Sequence, residues 1–297
     1  MAEAIKDIEL GVSAGYRVDN VDWSIAGYSD GDYINIFSEL TWKDLEIYQT
    51  NIKAEITVGS ENPSHGAAYF KGCVGYGWIV EGENQDSDYD GNDRTLEWSR
   101  SNNDSDDGDT KDFSLGMGLR FFHVWDKLTL TPLVGYSYHE QNLTVTNGLQ
   151  TISTRFPAIP LGPFPGLNST YETQWKGPWV GVDLDYRLTR NFHFAVTLEY
   201  HWAEYEAEAN WNLRTDLAHP KSFEHRADGN GMVISLYFEY AFTKRLSIDT
   251  ILDFQDWKTE TGVHRAFGAD GSTGTTQLNE INWESTAFML SITYEFF

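Results

Sequence analysis

The stretch MVISLYFEYAFTKRLSIDTILDF at residues 232–254 decides the fold. Apolar side chains occupy alternate positions on both sides of a polar triplet: Met232, Ile234, Leu236, Phe238, Tyr240 and Phe242 before it, then Leu246, Ile248, Leu252 and Phe254 after it. Alternation with period two is typical of a β-strand that buries one face. The intervening Thr243, Lys244 and Arg245 provide only a tight turn, so the stretch predicts an antiparallel hairpin.

The same alternation recurs along the chain and predicts ten strands. The other eight contain the runs Ile8–Tyr16, Ile34–Trp42, Ala68–Val80, Phe113–Phe121, Leu128–Tyr138, Val180–Leu188, Phe192–Trp202 and Phe288–Phe296. Short connections (60–66, 126–127, 189–191 and 243–245) alternate with long ones (18–33, 83–112, 141–172, 203–230 and 257–284). This order is typical of a ten-stranded antiparallel transmembrane β-barrel with short periplasmic turns and five long external loops. We expect residues 1–297 to form one such domain.

Composition excludes several other classes of protein. Lys and Arg number 21 against 45 Asp and Glu, and the net charge of −24 argues against a nucleic-acid partner. No apolar run approaches the roughly 18 residues of a membrane-spanning helix. The single Cys73 allows no intrachain disulfide and no cysteine-built zinc site.

The two faces of the predicted strands indicate which side meets lipid. One face carries bulky aliphatic and aromatic residues, and the other is rich in Gly, Ser, Thr and charge. A water-soluble barrel also alternates, but it would need the bulky face inside, where these aromatics would overfill ten strands. We therefore expect lipid outside, a polar interior, and an integral outer-membrane protein in contact with lipid and lipopolysaccharide.

Three runs of sequence resemble the omptin family of outer-membrane proteases. They are Ser38-Glu-Leu-Thr-Trp-Lys43, Pro178-Trp-Val-Gly-Val182 and Tyr200-His-Trp202. The chain also resembles the Protochlamydia-type outer-membrane proteins, which share this architecture without an established proteolytic role. The resemblance extends over nearly the whole chain and implies a ten-stranded barrel.

The omptin resemblance also implies a catalytic site. Omptins hold a water molecule between an Asp-x-Asp pair and an Asp-x-His pair, and Asp86 and Asp88 match the first pair. The family's spacing after Trp202 reaches Ala209 and Trp211, neither of which can accept a proton. The nearest substitutes are Asp216 and His219. Their separation of three residues places them on opposite faces of a strand unless a turn intervenes.

A calcium site is the competing hypothesis for the same acidic segment. Residues 83–112 contain eleven acidic and three basic side chains. Within them, Asp86, Asp88, Asp90, Asn92 and Glu97 follow the spacing of a calcium loop, with Gly91 at the sharp turn. A solvated acidic loop without metal is the alternative. If calcium binds, Asp86 and Asp88 are ligands and cannot also be free catalytic carboxylates.

The sequence leaves three candidate functions. A general porin ranks lowest, because side chains nearly fill a ten-stranded interior. An omptin-type endopeptidase has the acid pair but lacks an Asp-x-His in register. A non-proteolytic surface or narrow-pore barrel, with acidic external loops that hold Ca²⁺ or contact proteins and peptides, makes the fewest demands, and it is the function we predict.

Overall fold

The computed structural model describes residues 5–59, 66–125, 127–156 and 158–296, and these residues form one antiparallel sheet. The strands are β1 (Ile5–Ser29), β2 (Asp32–Gly59), β3 (Ala67–Gly91), β4 (Thr95–Trp125), β5 (Leu128–Ser153), β6 (Gly162–Pro163), β7 (Ser169–Arg187), β8 (Phe192–Asn210), β9 (Phe223–Ala241), β10 (Leu246–Thr259), β11 (Gly262–Phe267) and β12 (Thr273–Glu295). Within these ranges, no helix is long and apolar enough to cross a membrane.

Ten long strands form a ring. Each pairs with its neighbours in the chain, and β1 pairs with β12, so the first and last strands meet. The two short strands do not add to the ring. β6 extends the edge of β5, and β11 continues the path of β10 between β9 and β12. The predicted ten-stranded antiparallel arrangement is therefore confirmed.

The long connections were predicted as loops, but most of their residues belong to paired strands. Within residues 83–112, β3 runs to Gly91 and β4 starts at Thr95, which leaves a three-residue turn. Asp93 and Arg94 in this turn have φ angles of 57° and 61°. The sequence hid this pairing because the run SRSNNDSDDGD (99–109) lacks apolar alternation, whereas backbone hydrogen bonds form regardless of side-chain polarity.

Two of the short turns share one capping arrangement. The Thr189 hydroxyl accepts hydrogen bonds from the backbone N–H groups of Asn191 and Phe192. The Thr243 hydroxyl accepts in the same way from the backbone N–H groups of Arg245 and of Leu246, the first residue of β10. These contacts satisfy backbone donors at the hairpin ends. The predicted connection at 60–66 falls mostly outside the described residues, as does Asp126 of the turn at 126–127.

The apolar faces of the strands point away from the ring axis. Val12 is 54% exposed, Met117 52% and Ile292 59%, although each lies within a long paired strand. Their partners across the ladders are also apolar, as in the pair Val12 and Ile292. The outer surface of the ring is thus a continuous apolar belt.

The interior opposite this belt contains paired charges. Arg17 contacts Asp19 at 2.5 Å and Asp112 at 2.9 Å, and all three come from inner faces. On the other side, the Lys71 ammonium lies 3.1 Å from Asp183 and 2.9 Å from Glu199. Both cations contact two carboxylates, as is usual for charges removed from water.

Towards the long-connection end, the interior is filled by apolar and aromatic side chains, and here the expectation of a polar interior was wrong. The cluster, which we call the aromatic plug, includes Trp23, Leu40, Trp42, Leu45, Tyr171, Trp175, Tyr205, Phe223, Trp257, Ile281 and Trp283. Trp257 stacks on Trp283 with ring centroids 5.4 Å apart, and Trp42 stacks on Tyr171 at 5.2 Å. The plug fills the interior of the ring where the strands extend beyond the belt. Burial of these apolar side chains stabilises the strand extensions.

Candidate functional site

The acid pair Asp86 and Asp88 lies on the inner face of β3 at the long-connection end. Asp86 is directly opposite Leu40, a member of the plug that is 2% exposed, and Asp88 is opposite Ser38. Side chains two residues apart on a strand share one face. The structure therefore brings both predicted carboxylates to the inside of the ring mouth, above the aromatic plug.

Burial and mutual repulsion change the acidity of this pair. Burial, assisted by the charge of Asp88, raises the pKa of Asp86 to about 8. Burial also raises the pKa of Asp88 to about 6, against the opposing effect of the Ser38 hydroxyl and the Arg214 guanidinium. Near pH 7, Asp86 is therefore protonated and Asp88 is ionised, so one proton and one negative charge are held in the mouth.

Trp211 occupies the side of the mouth that faces Asp86. Its side chain lies within hydrogen-bonding reach of the Asp86 carboxyl, and its ring packs on Phe223 with centroids 4.8 Å apart. Ala209 is 2% exposed and is paired with Tyr171 and Phe223. These are the two positions that the omptin spacing reaches, and neither side chain can act as a general base.

Asp216 and His219 lie in the connection between β8 and β9 and have separate partners. The Arg214 guanidinium donates to both carboxylate oxygens of Asp216, at 2.8 and 2.7 Å, and this contact lowers the pKa of Asp216. The His219 ring lies 2.7 Å from the Asn210 amide oxygen and 3.2 Å from the Arg214 carbonyl. Both side chains are exposed. A catalytic role for Asp86, Asp88, Asp216 and His219 stays a prediction.

The predicted calcium ligands are distributed along the β3–β4 hairpin. Asp90 forms an ion pair with Arg155 and accepts a hydrogen bond from the Ser29 hydroxyl at 2.7 Å. Glu97, predicted to complete the coordination shell, contacts Arg100 at 2.6 Å.

The turn of the same hairpin holds the remaining predicted ligand. The Asn92 carbonyl accepts from the backbone N–H and the hydroxyl of Thr95. Across the described ranges, no group of three or more His, Cys, Asp or Glu side chains is arranged to hold a metal ion. The calcium site stays a prediction, and coordination by Glu97 would require its carboxylate to break the ion pair with Arg100.

A buried hydrogen-bonded chain next to the plug was missed by the sequence analysis. The hydroxyl oxygens of Tyr205 and Tyr171 lie 2.8 Å apart, the Tyr171 hydroxyl lies 2.8 Å from His225 Nδ1, and His225 Nε2 lies 2.8 Å from His264 Nδ1. Burial lowers the pKa of His225 well below its usual range and that of His264 to about 4. Only the pairing of β9 with β11 reveals this contact, because the two histidines were assigned to different loops.

The ten long strands form an antiparallel ring whose fold is similar to that of the omptin protease OmpT. The model of the Protochlamydia outer membrane protein family matches residues 11–296, and the chain belongs to this family. The chain is therefore an outer-membrane protein.

The fold is shared with a solved structure at low sequence identity, and a second structure is similar only at a low score. The outer membrane protease OmpT from Escherichia coli superposes with a TM-score of 0.72 at 15% identity, over 100% of this chain and 99% of that chain. The translocator domain of the autotransporter NalP from Neisseria meningitidis gives a TM-score of 0.37 at 10% identity, covering 97% of this chain and 88% of its own. No curated protein matches the chain in a sequence comparison.

Proposed function

We propose that the chain crosses the outer membrane through its apolar belt and serves as a non-proteolytic, non-conducting surface barrel. The short turns then face the periplasm, and the extended hairpins of the long-connection end stand outside the cell. Apolar residues such as Val12 and Ile292 face lipid in this placement, and we propose that the same outer surface contacts lipopolysaccharide. The outer ends of the strands present the interaction surface.

The observation that carries this proposal is the aromatic plug. Trp42, Trp257 and Trp283 are each at most 1% exposed inside the ring, and the rings of Trp257 and Trp283 stack on each other, which supports a packed interior at this level. Below the plug, the cations Arg17 and Lys71 are each paired with carboxylates. The interior is therefore a core, and recognition takes place at the outer end.

Electrical recordings test the closed interior. Refolded protein in planar bilayers should produce no stepwise ionic current. A double variant, Trp257→Ala with Trp283→Ala, should produce brief current steps because it removes the stacked pair. A matched control, Trp78→Ala, removes an exposed tryptophan of the belt and should remain silent. Stable conductance in the unmodified protein would contradict the proposal.

The acid pair supports a second candidate function, an outer-membrane endopeptidase that activates water. Asp88, ionised near neutral pH, would accept a proton from water, and Asp86, protonated at the same pH, would donate one to the scissile amide. The two carboxyl groups would then carry out the proton transfers without a histidine. We rank this function second because Trp211 and Leu40 crowd the carboxyl of Asp86.

Peptide cleavage separates the two candidates. The folded protein, with lipopolysaccharide added, would be incubated with peptides containing basic residues at pH 7. The surface-barrel proposal expects cleavage no faster in the unmodified protein than in Asp86→Asn or Asp88→Asn. Cleavage that is lost in both variants and retained in His219→Ala would support the acid-pair mechanism, whereas loss in His219→Ala would support the omptin mechanism.

A further inference from the structure

The aromatic plug contains two tyrosines whose hydroxyl groups are connected to a pair of histidines. Contacts of 2.8 Å join Tyr205 to Tyr171, Tyr171 to His225, and His225 to His264. The exposed fraction is at most 1% for the first three side chains and 7% for His264. This tyrosine–histidine chain therefore leads from the interior of the plug towards the surface at β11.

The chain provides a base for the phenolic proton of Tyr171. A tyrosine that loses one electron becomes a very strong acid, so it is oxidised readily only when its proton can leave at the same time. Burial lowers the pKa of His225 well below its usual range, so the ring is neutral and one nitrogen is free to accept that proton. Even a weak base suffices for so strong an acid. When Nδ1 accepts from Tyr171, Nε2 carries the hydrogen that is donated to His264, and a proton can be passed on through both rings.

Tryptophan rings surround Tyr171 at distances over which electrons transfer rapidly. The Trp42 ring stacks on it with centroids 5.2 Å apart, and the Trp23 ring lies at 6.2 Å. Within the described residues, the indole N–H groups of Trp23 and Trp42 have no hydrogen-bond partner. An oxidised indole at either position finds no base for its proton, whereas Tyr171 has one. Tyr171 is therefore the position at which an oxidising equivalent comes to rest.

Trp211 connects this cluster to the ring mouth. Its side chain is partly exposed and lies beside Asp86. Its ring packs on Phe223 with centroids 4.8 Å apart, and Phe223 lies 6.4 Å from Tyr171. An electron from Tyr171 thus has a short path to Trp211, and an oxidant in the mouth does not need to enter the plug.

We propose that Tyr171 is a redox-active tyrosine, oxidised by small one-electron oxidants that reach the ring mouth. The electron passes through Trp211 to the oxidant, and the phenolic O–H bond breaks. The proton moves to His225 Nδ1, while the Nε2 proton of the same ring moves to His264. The products are a neutral tyrosyl radical, the reduced oxidant and one proton, which His264 releases at the surface. This activity requires only the plug and the mouth, so it does not depend on the proposed function.

Flash oxidation of the refolded full-length protein tests this assignment. Ruthenium(III) tris-bipyridine, generated by light with a cobalt(III) acceptor, serves as the oxidant. Ring-deuterated tyrosine allows electron paramagnetic resonance to separate tyrosyl from tryptophan radicals. We expect a tyrosyl signal in the unmodified protein, loss of most of it in Tyr171→Phe, and a smaller, slower signal in His225→Gln. The matched control Tyr28→Phe removes a tyrosine that is 70% exposed near the tip of the β1–β2 hairpin, and it should keep the full signal.

A second variant, Trp211→Phe, leaves the tyrosine–histidine chain intact and should slow formation of the radical. It keeps the proposal testable if Tyr171→Phe does not fold. The shift in electrophoretic mobility between heated and unheated samples verifies the fold of each variant. The proposal would be overturned by the absence of a tyrosyl signal, by a signal that Tyr171→Phe, His225→Gln or Trp211→Phe leaves unchanged in size and rate, or by loss of the signal in Tyr28→Phe.

Discussion

Replacement of Asp86 by Asn should stabilise the protein at neutral pH. Asp86 has an ordinary pKa of 3.8 and a folded-state pKa of about 8. Because the folded-state pKa is raised, the favourable contribution of the protonated carboxyl is complete below pH 3.8 and is lost as the pH rises towards 8. At 1.36 kcal/mol per pH unit, the interval from pH 3.8 to pH 7 corresponds to about 4 kcal/mol. Partial contact with water screens the group, so we expect about half of this, ~2 kcal/mol.

Urea unfolding in lipid vesicles, followed by tryptophan fluorescence, measures this difference. The free energy of unfolding of Asp86→Asn should equal that of the unmodified protein near pH 4 and exceed it by ~2 kcal/mol at pH 7. Asp32→Asn, a matched change at an exposed carboxyl of the β1–β2 hairpin, should differ by less than about 0.5 kcal/mol at either pH. A variant that is less stable than the unmodified protein at pH 7 would refute the reasoning, since it would mean that Asp86 is an ionised partner of Arg214.

Three further predictions concern the plug, the histidine pair and calcium. Trp283→Ala should lower the free energy of unfolding by about 3–5 kcal/mol in the same urea assay, because it opens a cavity at a fully buried position; a loss below about 1 kcal/mol would contradict a packed core. Burial lowers the pKa of His264 to about 4. The contribution of neutral His264 to the free energy of unfolding should therefore be fully present above pH 6.5 and should fall by up to about 3 kcal/mol as the pH decreases towards 4. His264→Gln should remove that part of the pH dependence, and an unchanged profile would count against it. If calcium binds, millimolar Ca²⁺ should raise the Tm of the unmodified protein and not that of Glu97→Gln; the absence of a shift in both would remove the site.

The sequence predicted the parts of the fold in which apolar and polar side chains alternate along a strand. In the belt, Met232 to Phe242 alternate strictly because one face meets lipid and the other does not, so strand number and order follow from the sequence. In the extensions beyond the belt both faces meet water, protein or the plug, and the alternation disappears. Residues 99–109 therefore read as a polar loop although they are paired on both sides.

The candidate site was predictable only in part. The spacing of Asp86 and Asp88 predicts a shared face if they lie on a strand, but it does not predict that this face is the inner one. The contact of Trp211 with this pair, and that of His225 with His264, depend on the register between strands that are distant in sequence. Where a strand lacks a uniform apolar face, its sequence specifies the register only weakly. The plug was missed because many of its side chains, Trp23 and Trp283 among them, fall in segments that were predicted as long external loops.

The length of the strands determines how far the molecule reaches from the cell. On β3, eleven residues from Glu81 to Gly91 follow the last exposed apolar side chain of the belt, Val80. At about 3.3 Å per residue and a tilt of about 40°, they would rise roughly 28 Å above the hydrocarbon boundary. The headgroup layer accounts for only about 5–8 Å of that height. In the proposed membrane placement, the hairpin tips project well above the bilayer, and a binding partner can contact them without approaching the lipid.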